Sequence, residues 1–256
     1  MTTELTKKYS RPSAFAGISL IVKRELLSYF GTRSGYVVAA VTLLIAGLSF
    51  NTRAVGSSAR YSRDVLSTFL YDTSGIVMAA AILISLRLIA EERKTGTIHL
   101  LMNSALSEGQ IVLAKFLSAY FFLAILILLT AYMPALIFLR GRVSLGHIVT
   151  GYFGLLLLGA AVVAIGTFAS SLTRSQVIAA VLTTVITALL VLMWVLAKVV
   201  DPPLKDVVTN MALHNIHFRT FQQGTLSSRD VAYYLSITGV FLYMARNAVE
   251  ARRWTL

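Results

Sequence analysis

The sequence predicts an all-α integral membrane protein with six transmembrane helices. Three observations carry that prediction. Of 256 residues, 57% are hydrophobic and only 13% are charged, whereas soluble domains carry about a quarter charged residues. The apolar residues form continuous runs that approach or reach spanning length, not alternating ten-residue units, which sets a β-barrel aside. Short polar segments rich in lysine and arginine separate the runs. There is no cysteine, so no disulfide or thiolate metal site enters. A net charge of +12 fits anionic headgroups and the positive-inside bias better than nucleic acid.

Residues 1–35 read as a cytoplasmic N-terminus followed by an amphipathic interfacial helix. The first 13 residues are polar and no cleavable apolar segment follows directly, so no signal peptide is expected. Phe15, Ile18, Val22, Leu26 and Tyr29 then recur at intervals of three and four, which is helical spacing. Lys23, Arg24 and Glu25 interrupt any spanning run, so this helix is expected to lie in the membrane interface. Residues 31–35 read as a break.

Residues 36–256 form the six-helix transmembrane domain. The first span, 36–50, is short against the roughly 20 residues a bilayer asks for. Residues 51–71 read as a polar non-cytoplasmic loop. The second span covers 72–90, with Arg87 in its last turn, either snorkelling to the interface or pairing with Glu91 or Glu92. A charged loop follows over 91–115. The third span, 116–139, has 24 residues without a charge, and Pro134 predicts a kink near its end. The fourth span, 148–168, contains Gly151, Gly154, Gly159 and Gly166, which permit close helix approach. Residues 170–176 carry only Arg174, and the fifth span runs over 177–197. In it Thr183, Thr184 and Thr187 are expected to bond back to their own helix. Residues 198–230 are an extracytoplasmic polar segment stopped by Asp201-Pro202-Pro203. His214 and His217, three apart within it, are too few for a metal site and read as interfacial or packing residues. The last span, 231–248, leads to a basic and aromatic tail with Arg252, Arg253 and Trp254.

Charge orients this layout. With residues 1–35, 87–115, 170–176 and 246–256 in the cytoplasm, 14 of the 23 Lys/Arg residues lie inside, in line with the positive-inside rule. The chain has no G-x-x-x-x-G-K stretch, no H-E-x-x-H and no G-x-S-x-G. ATP binding through a P-loop of its own is thereby excluded, and no residue stands out as catalytic. No span holds a pair of carboxylates, which counts against a proton- or sodium-coupled carrier.

Three motifs carry a family resemblance. The first is Val22-Lys23-Arg24-Glu25-Leu26-Leu27-Ser28-Tyr29-Phe30, followed by Ser34-Gly35-Tyr36-Val37. The second is Glu91-Glu92-Arg93-Lys94-Thr95-Gly96-Thr97-Ile98-His99-Leu100-Leu101, followed by Ser107 to Phe116. The third runs from Gly224 to Ser236, with Phe241-Leu242 and the terminal Arg252-Arg253-Trp254. Together they resemble the permeases of ABC-2 type ABC transporters, most closely the gliding-motility-associated branch. The chain departs from the family pattern at Gly35 and Ala105, where proline is common, at His99, usually acidic, and at Ala114, usually glycine.

The resemblance implies a bacterial inner-membrane subunit of the ABC-2 exporter type. Such permeases pair with a second copy or a homologous permease. Two cytosolic ATPase subunits bind ATP and Mg beneath them, and no cofactor belongs to the permease chain itself. The loop after the second span would hold a coupling helix. In it Glu91, Glu92 and Arg93 would anchor the ATPase through polar contacts, and Thr97, Ile98, Leu100 and Leu101 through apolar ones. The interfacial helix would touch the same partner, and Arg174 would make a secondary contact. The pathway would run between two permeases along the first, second and fifth spans. Gliding-type systems often add a membrane protein with a large extracytoplasmic part. The resemblance names no substrate. Two alternatives stay open: a membrane subunit that transmits force or signal to a cell-envelope machine, and an ATP-independent carrier or channel.

Overall fold

The computed structural model describes residues 14–54, 61–95, 106–140 and 143–251. These residues are helical throughout apart from turns and short connections. The chain starts with α1 (Ala14–Gly31), bends at Thr32 and continues as α2 (Arg33–Ala54). The corner is tight: a Cβ on Gly35 would stand 1.8 Å from the carbonyl oxygen of Tyr29. Then come α3 (Ser62–Ser85), α4 (Ala90–Thr95), α5 (Glu108–Leu129) and α6 (Tyr132–Arg140). They are followed by α7 (Leu145–Leu172), α8 (Gln176–Leu196), α9 (Leu204–Asn210), α10 (His217–Gln222) and α11 (Ser228–Ala251).

Among the described residues, five stretches are long and apolar enough to cross a membrane: Arg33–Thr52, Ser62–Glu92, Glu108–Phe138, Leu145–Leu172 and Gln176–Leu196. The protein is thus an all-α, multi-pass membrane protein. The sixth expected crossing coincides with α11. Its 24 residues span about 36 Å, but Arg229, Asp230, Arg246 and Glu250 make it more polar than the other five.

Helix α7 is the axis of the bundle. It packs against α3, α5, α8, α10 and α11. Two-thirds of its apolar window is buried (67%), against 17% for α2 and for α8. Its small residues let neighbours approach, as the glycines of the fourth span predict. At Gly166 a Cβ would come within 1.9 Å of Ser85 Oγ, so α3 and α7 touch almost backbone to backbone at this point. Elsewhere the core is apolar, with Leu155, Leu158, Val162 and Ile165 of α7 fully enclosed.

Several boundaries differ from the sequence-based expectation, each for a local reason. Helix α3 starts at Ser62, ten residues before the expected span, because Asp64 sits in its first turn, where the helix dipole favours an acid. The charged loop expected over 91–115 is shorter than its charges suggest. Helix α5 already begins at Glu108, set by a capping box in which Ser107 Oγ accepts from the Gln110 amide and Gln110 Oε1 accepts from the Ser107 amide. Lys115 therefore lies two turns inside a helix. The kink expected at Pro134 appears as a break at Thr130–Ala131 between α5 and α6. Thr130 is the residue four before Pro134, the one whose carbonyl a proline ring displaces. Thr130 Oγ1 donates to the Ile127 carbonyl, and the Tyr152 hydroxyl lies 2.9 Å from it. Of the three threonines in α8, Thr183 bonds back to the Ala179 carbonyl at 2.7 Å. Thr184 is exposed, and Thr187 Oγ1 is buried without a partner.

The segment 198–230 is more ordered than a polar loop. Helices α9 and α10 form a cap over one end of the bundle. Leu213, Phe218 and Phe221 are buried, and the Leu213 amide donates to the Leu190 carbonyl at 3.0 Å.

Candidate functional site: a buried lysine between three charged segments

At the end of the bundle opposite the cap, three segments meet on Lys115. Ring packing places α1 there, and a hydroxyl cap places α4. Helix α1 lies against α5. Tyr29 stacks on Phe122 with ring centroids 4.9 Å apart, and Phe30 meets the same ring edge-on at 5.3 Å. The Tyr29 hydroxyl donates to the Ile84 carbonyl at 3.3 Å, and burial pushes its phenol pKa up, so it stays a neutral donor. Helix α4 begins after a loosened turn at Leu86–Ile89. Ser170 Oγ of α7 accepts from the Ile89 and Ala90 amides at 3.0 and 2.9 Å, satisfying donors that a helix start leaves open. Glu91 and Glu92 occupy the first turn of α4, where acids are favoured.

This packing brings opposite charges together. Lys115 is only 3% exposed; its Nζ lies 2.7 Å from Glu92 Oε1 and 3.0 Å from Glu25 Oε1. Arg24 completes the group at 2.7 Å from Glu25 and 3.6 Å from Glu92. Two cations and two carboxylates balance. The Glu25 hydrogen bond raises the Arg24 guanidinium further above its ordinary pKa, against a smaller opposing effect of burial. A lysine this enclosed needs such partners, because an unpaired buried ammonium is expensive.

The remaining sequence-predicted residues are distributed as follows. On α1, Phe15 is largely exposed, Lys23 is exposed, and Ile18, Val22 and Leu26 are half-buried. The exposed positions Leu20, Lys23, Leu27 and Phe30 form a mixed apolar and basic stripe. Arg87 donates to Ser34 Oγ at 2.6 Å, tying the end of α3 to the start of α2. Arg174 is exposed in the turn between α7 and α8. Thr97, Ile98, Leu100 and Leu101, and the side chain of Arg93, lie outside the described residues. Lys115 and Ser170 were not singled out by sequence. One signal did exist for Lys115: it is a lone cation at the edge of a long uncharged run.

A family model described as "ABC-2 family transporter protein" matches residues 28–244. That range covers most of the chain. The chain belongs to the ABC-2 transporter family. No curated protein matches it. Membership makes a transport-related role the frame for the Lys115 cluster. Within the ABC-2 match lie Glu92 and Lys115, whereas Arg24 and Glu25 precede it.

Proposed function

We propose that this chain is the permease subunit of an ATP-driven ABC-2 transporter, and that the Lys115 cluster passes movement from separate cytosolic ATPase subunits into the membrane helices. The single observation that carries this reading is the buried contact of Lys115 with Glu25 and Glu92. It joins α1, α4 and the start of α5 into one body. That body leads directly into the rest of the proposed coupling loop, 91–115. A push on that segment would reach α3 through α4, α7 through Ser170, and α5 through Lys115 at once. In this reading α1 is the interfacial helix, its Leu20–Lys23–Leu27–Phe30 stripe resting on headgroups. Arg174 offers a secondary contact on the same side.

The topology that fits has six crossings, α11 being the sixth, with both termini and the Lys115 end in the bacterial cytoplasm. The sparsely buried apolar faces of α2 and α8 suit lipid and a second permease, with the pathway between the two copies. The gliding-type resemblance makes an accessory membrane protein with a large extracytoplasmic part a further candidate partner.

Purification with a cytosolic ATPase tests the reading. A stable complex that hydrolyses ATP in a way sensitive to Leu100→Arg and Leu101→Arg is the expected result. Transport or flux by the chain alone in sealed vesicles, with no ATPase bound, would sink it in favour of a carrier or channel. A complex that hydrolyses ATP but moves nothing across sealed vesicles would favour a force-transmitting machine.

A further inference from the structure

A second cluster of ionisable side chains is buried at the capped end. His217 opens α10 and is 2% exposed. Its Nδ1 lies 2.7 Å from Asp230 Oδ1, and its Nε2 lies 3.1 Å from the carbonyl oxygen of Asn210. Asp230 is 6% exposed, and its second oxygen accepts from Thr220 Oγ1 at 2.6 Å. The imidazole stacks on Tyr233 with centroids 3.7 Å apart.

The oxygens around this ring favour one extra proton on the pair. A carbonyl oxygen and an ionised carboxylate only accept. A neutral imidazole has one N–H and one lone pair, so it would aim that lone pair at one of the two oxygens. Two ring N–H groups satisfy both. If the proton sits on Asp230 instead, the carboxyl donates to Nδ1 and the pair holds the same total. In either arrangement the pair holds one proton more than a neutral histidine beside a carboxylate.

We propose that His217 and Asp230 form a buried proton-binding site that latches the α9–α10 cap onto α11, so that the cap docks by taking up one proton and loosens when that proton leaves. The contacts sharing this seam make the coupling physical. The Tyr233 hydroxyl donates to the Met211 carbonyl and the Tyr234 hydroxyl to the Leu213 carbonyl, each at 2.8 Å. Arg229 hydrogen-bonds the Asn210 side chain. Every one of these links ends on 210–213, the stretch whose Asn210 carbonyl also meets His217. Loss of the proton turns one of the ring's two contacts repulsive and loosens the seam at its buried centre.

Other titratable groups surround the site. From α11 they are Arg229, Tyr233 and Tyr234, and the phenols ordinarily titrate near about 10. From α10 there is the exposed Arg219. From α7, His147 is turned to the Gln222 carbonyl at 2.8 Å. In the cap, His214 faces Ser74 of α3 at 2.5 Å. Burial lowers the His214 pKa, opposed by its contact with Asn215. Its sign is opposite to the latch. A depressed histidine favours the docked cap at higher pH and weakens it as pH falls, whereas the latch weakens as pH rises. His214→Gln separates the two.

The latch stands without the proposed topology; only the compartment it faces rests on it. The test uses the full chain with His214→Gln, in detergent, followed by hydrogen exchange corrected for intrinsic rates. From about pH 5 to about pH 9, a range bracketing ordinary imidazole, protection of 204–222 should fall. The fall should approach tenfold per pH unit at most, as one linked proton requires, and should level off once the docked pair has released that proton. Adding Asp230→Asn should flatten that slope. Ring nitrogen NMR on the His214→Gln protein, which needs no further substitution, should show one pH-dependent proton shared by His217 and Asp230. Flat protection across the range, a slope that survives Asp230→Asn, or a ring with a single N–H beside an ionised Asp230 overturns the latch. In sealed vesicles the pH on the side away from Lys115 should control protection. Control from the Lys115 side would overturn the orientation and the compartment assigned to the latch, while leaving proton-linked docking in place.

Discussion

Two buried charge clusters sit at opposite ends of this molecule, and they are built differently. The Lys115 cluster has four members from three segments, spread from Arg24 to Lys115, with one cation largely in solvent. The His217–Asp230 cluster has two ionisable members 13 residues apart, nearly sealed. Lysine, arginine and glutamate ordinarily titrate far from neutrality, whereas histidine titrates within the physiological range. The first cluster is suited to a joint that stays closed, the second to a contact that depends on conditions. Burial is common to both; the side-chain types decide which is permanent.

Four substitutions would break or sharpen that contrast. The largest effect is expected from Lys115→Met, which takes the buried ammonium away from Glu25 and Glu92. Removing one partner of a buried ion cluster costs about 3–5 kcal/mol. Thermal unfolding in detergent should show it, and adding Glu25→Gln with Glu92→Gln should recover most of the loss. If Lys115→Met alone leaves stability unchanged, the cluster is no joint.

Asp230→Asn comes next. Near pH 6 it should lose about 1–3 kcal/mol, the cost of an unmet buried hydrogen bond. The loss should shrink near pH 9, while the Lys115→Met loss stays similar at both. Denaturant titrations at the two pH values make the comparison. Equal pH dependence for the two variants would erase the distinction between the clusters.

Gly166→Ala probes what connects the ends. Its methyl would meet Ser85 within 2.3 Å at both Cβ and Oγ, so α3 must move away from α7. Overpacking of this kind costs about 1–3 kcal/mol, and Ser85→Gly should restore part of it. Hydrogen exchange should show the loss first near Ser170 and α4. Protection lost mainly at the cap would show that α7 passes the strain the other way.

The smallest effect is expected for Arg24→Gln. Its side chain is 62% exposed, and solvent screens such pairs to within about 0.5 kcal/mol. A loss as large as that from Lys115→Met would mean that the exposed cation, not the buried one, holds the group together.

Much of this was legible in the chain itself. The 24 uncharged residues of 116–139 and the glycines of 148–168 announced a helix pair of spanning length and a closely approached central helix. The periodicity of Phe15, Ile18, Val22, Leu26 and Tyr29 placed α1 almost to the residue. Harder to read were polar residues inside helices. Arg63 and Asp64 resembled a loop because an exposed helix end has the same composition as a loop. Asp230 and His217 resembled scattered polar residues because their pairing crosses a turn that hydropathy does not register. Glu25 was expected on an interfacial helix, and Glu92 as an ATPase anchor or a partner of Arg87; that both also meet Lys115 was not legible.

The sequence by itself determined that the chain is a bundle of apolar helices and, through its motifs, which family it resembles. The bundle follows from local composition, since a long run of apolar side chains can only be helix in lipid. The tertiary structure alone decided which charges meet. Lys115, Glu25 and Glu92 are up to 90 residues apart, and no local pattern encodes a contact at that distance. It arises because Tyr29 packs on Phe122 and Ser170 caps α4, which leaves one enclosed space where an ammonium and two carboxylates can lie only together.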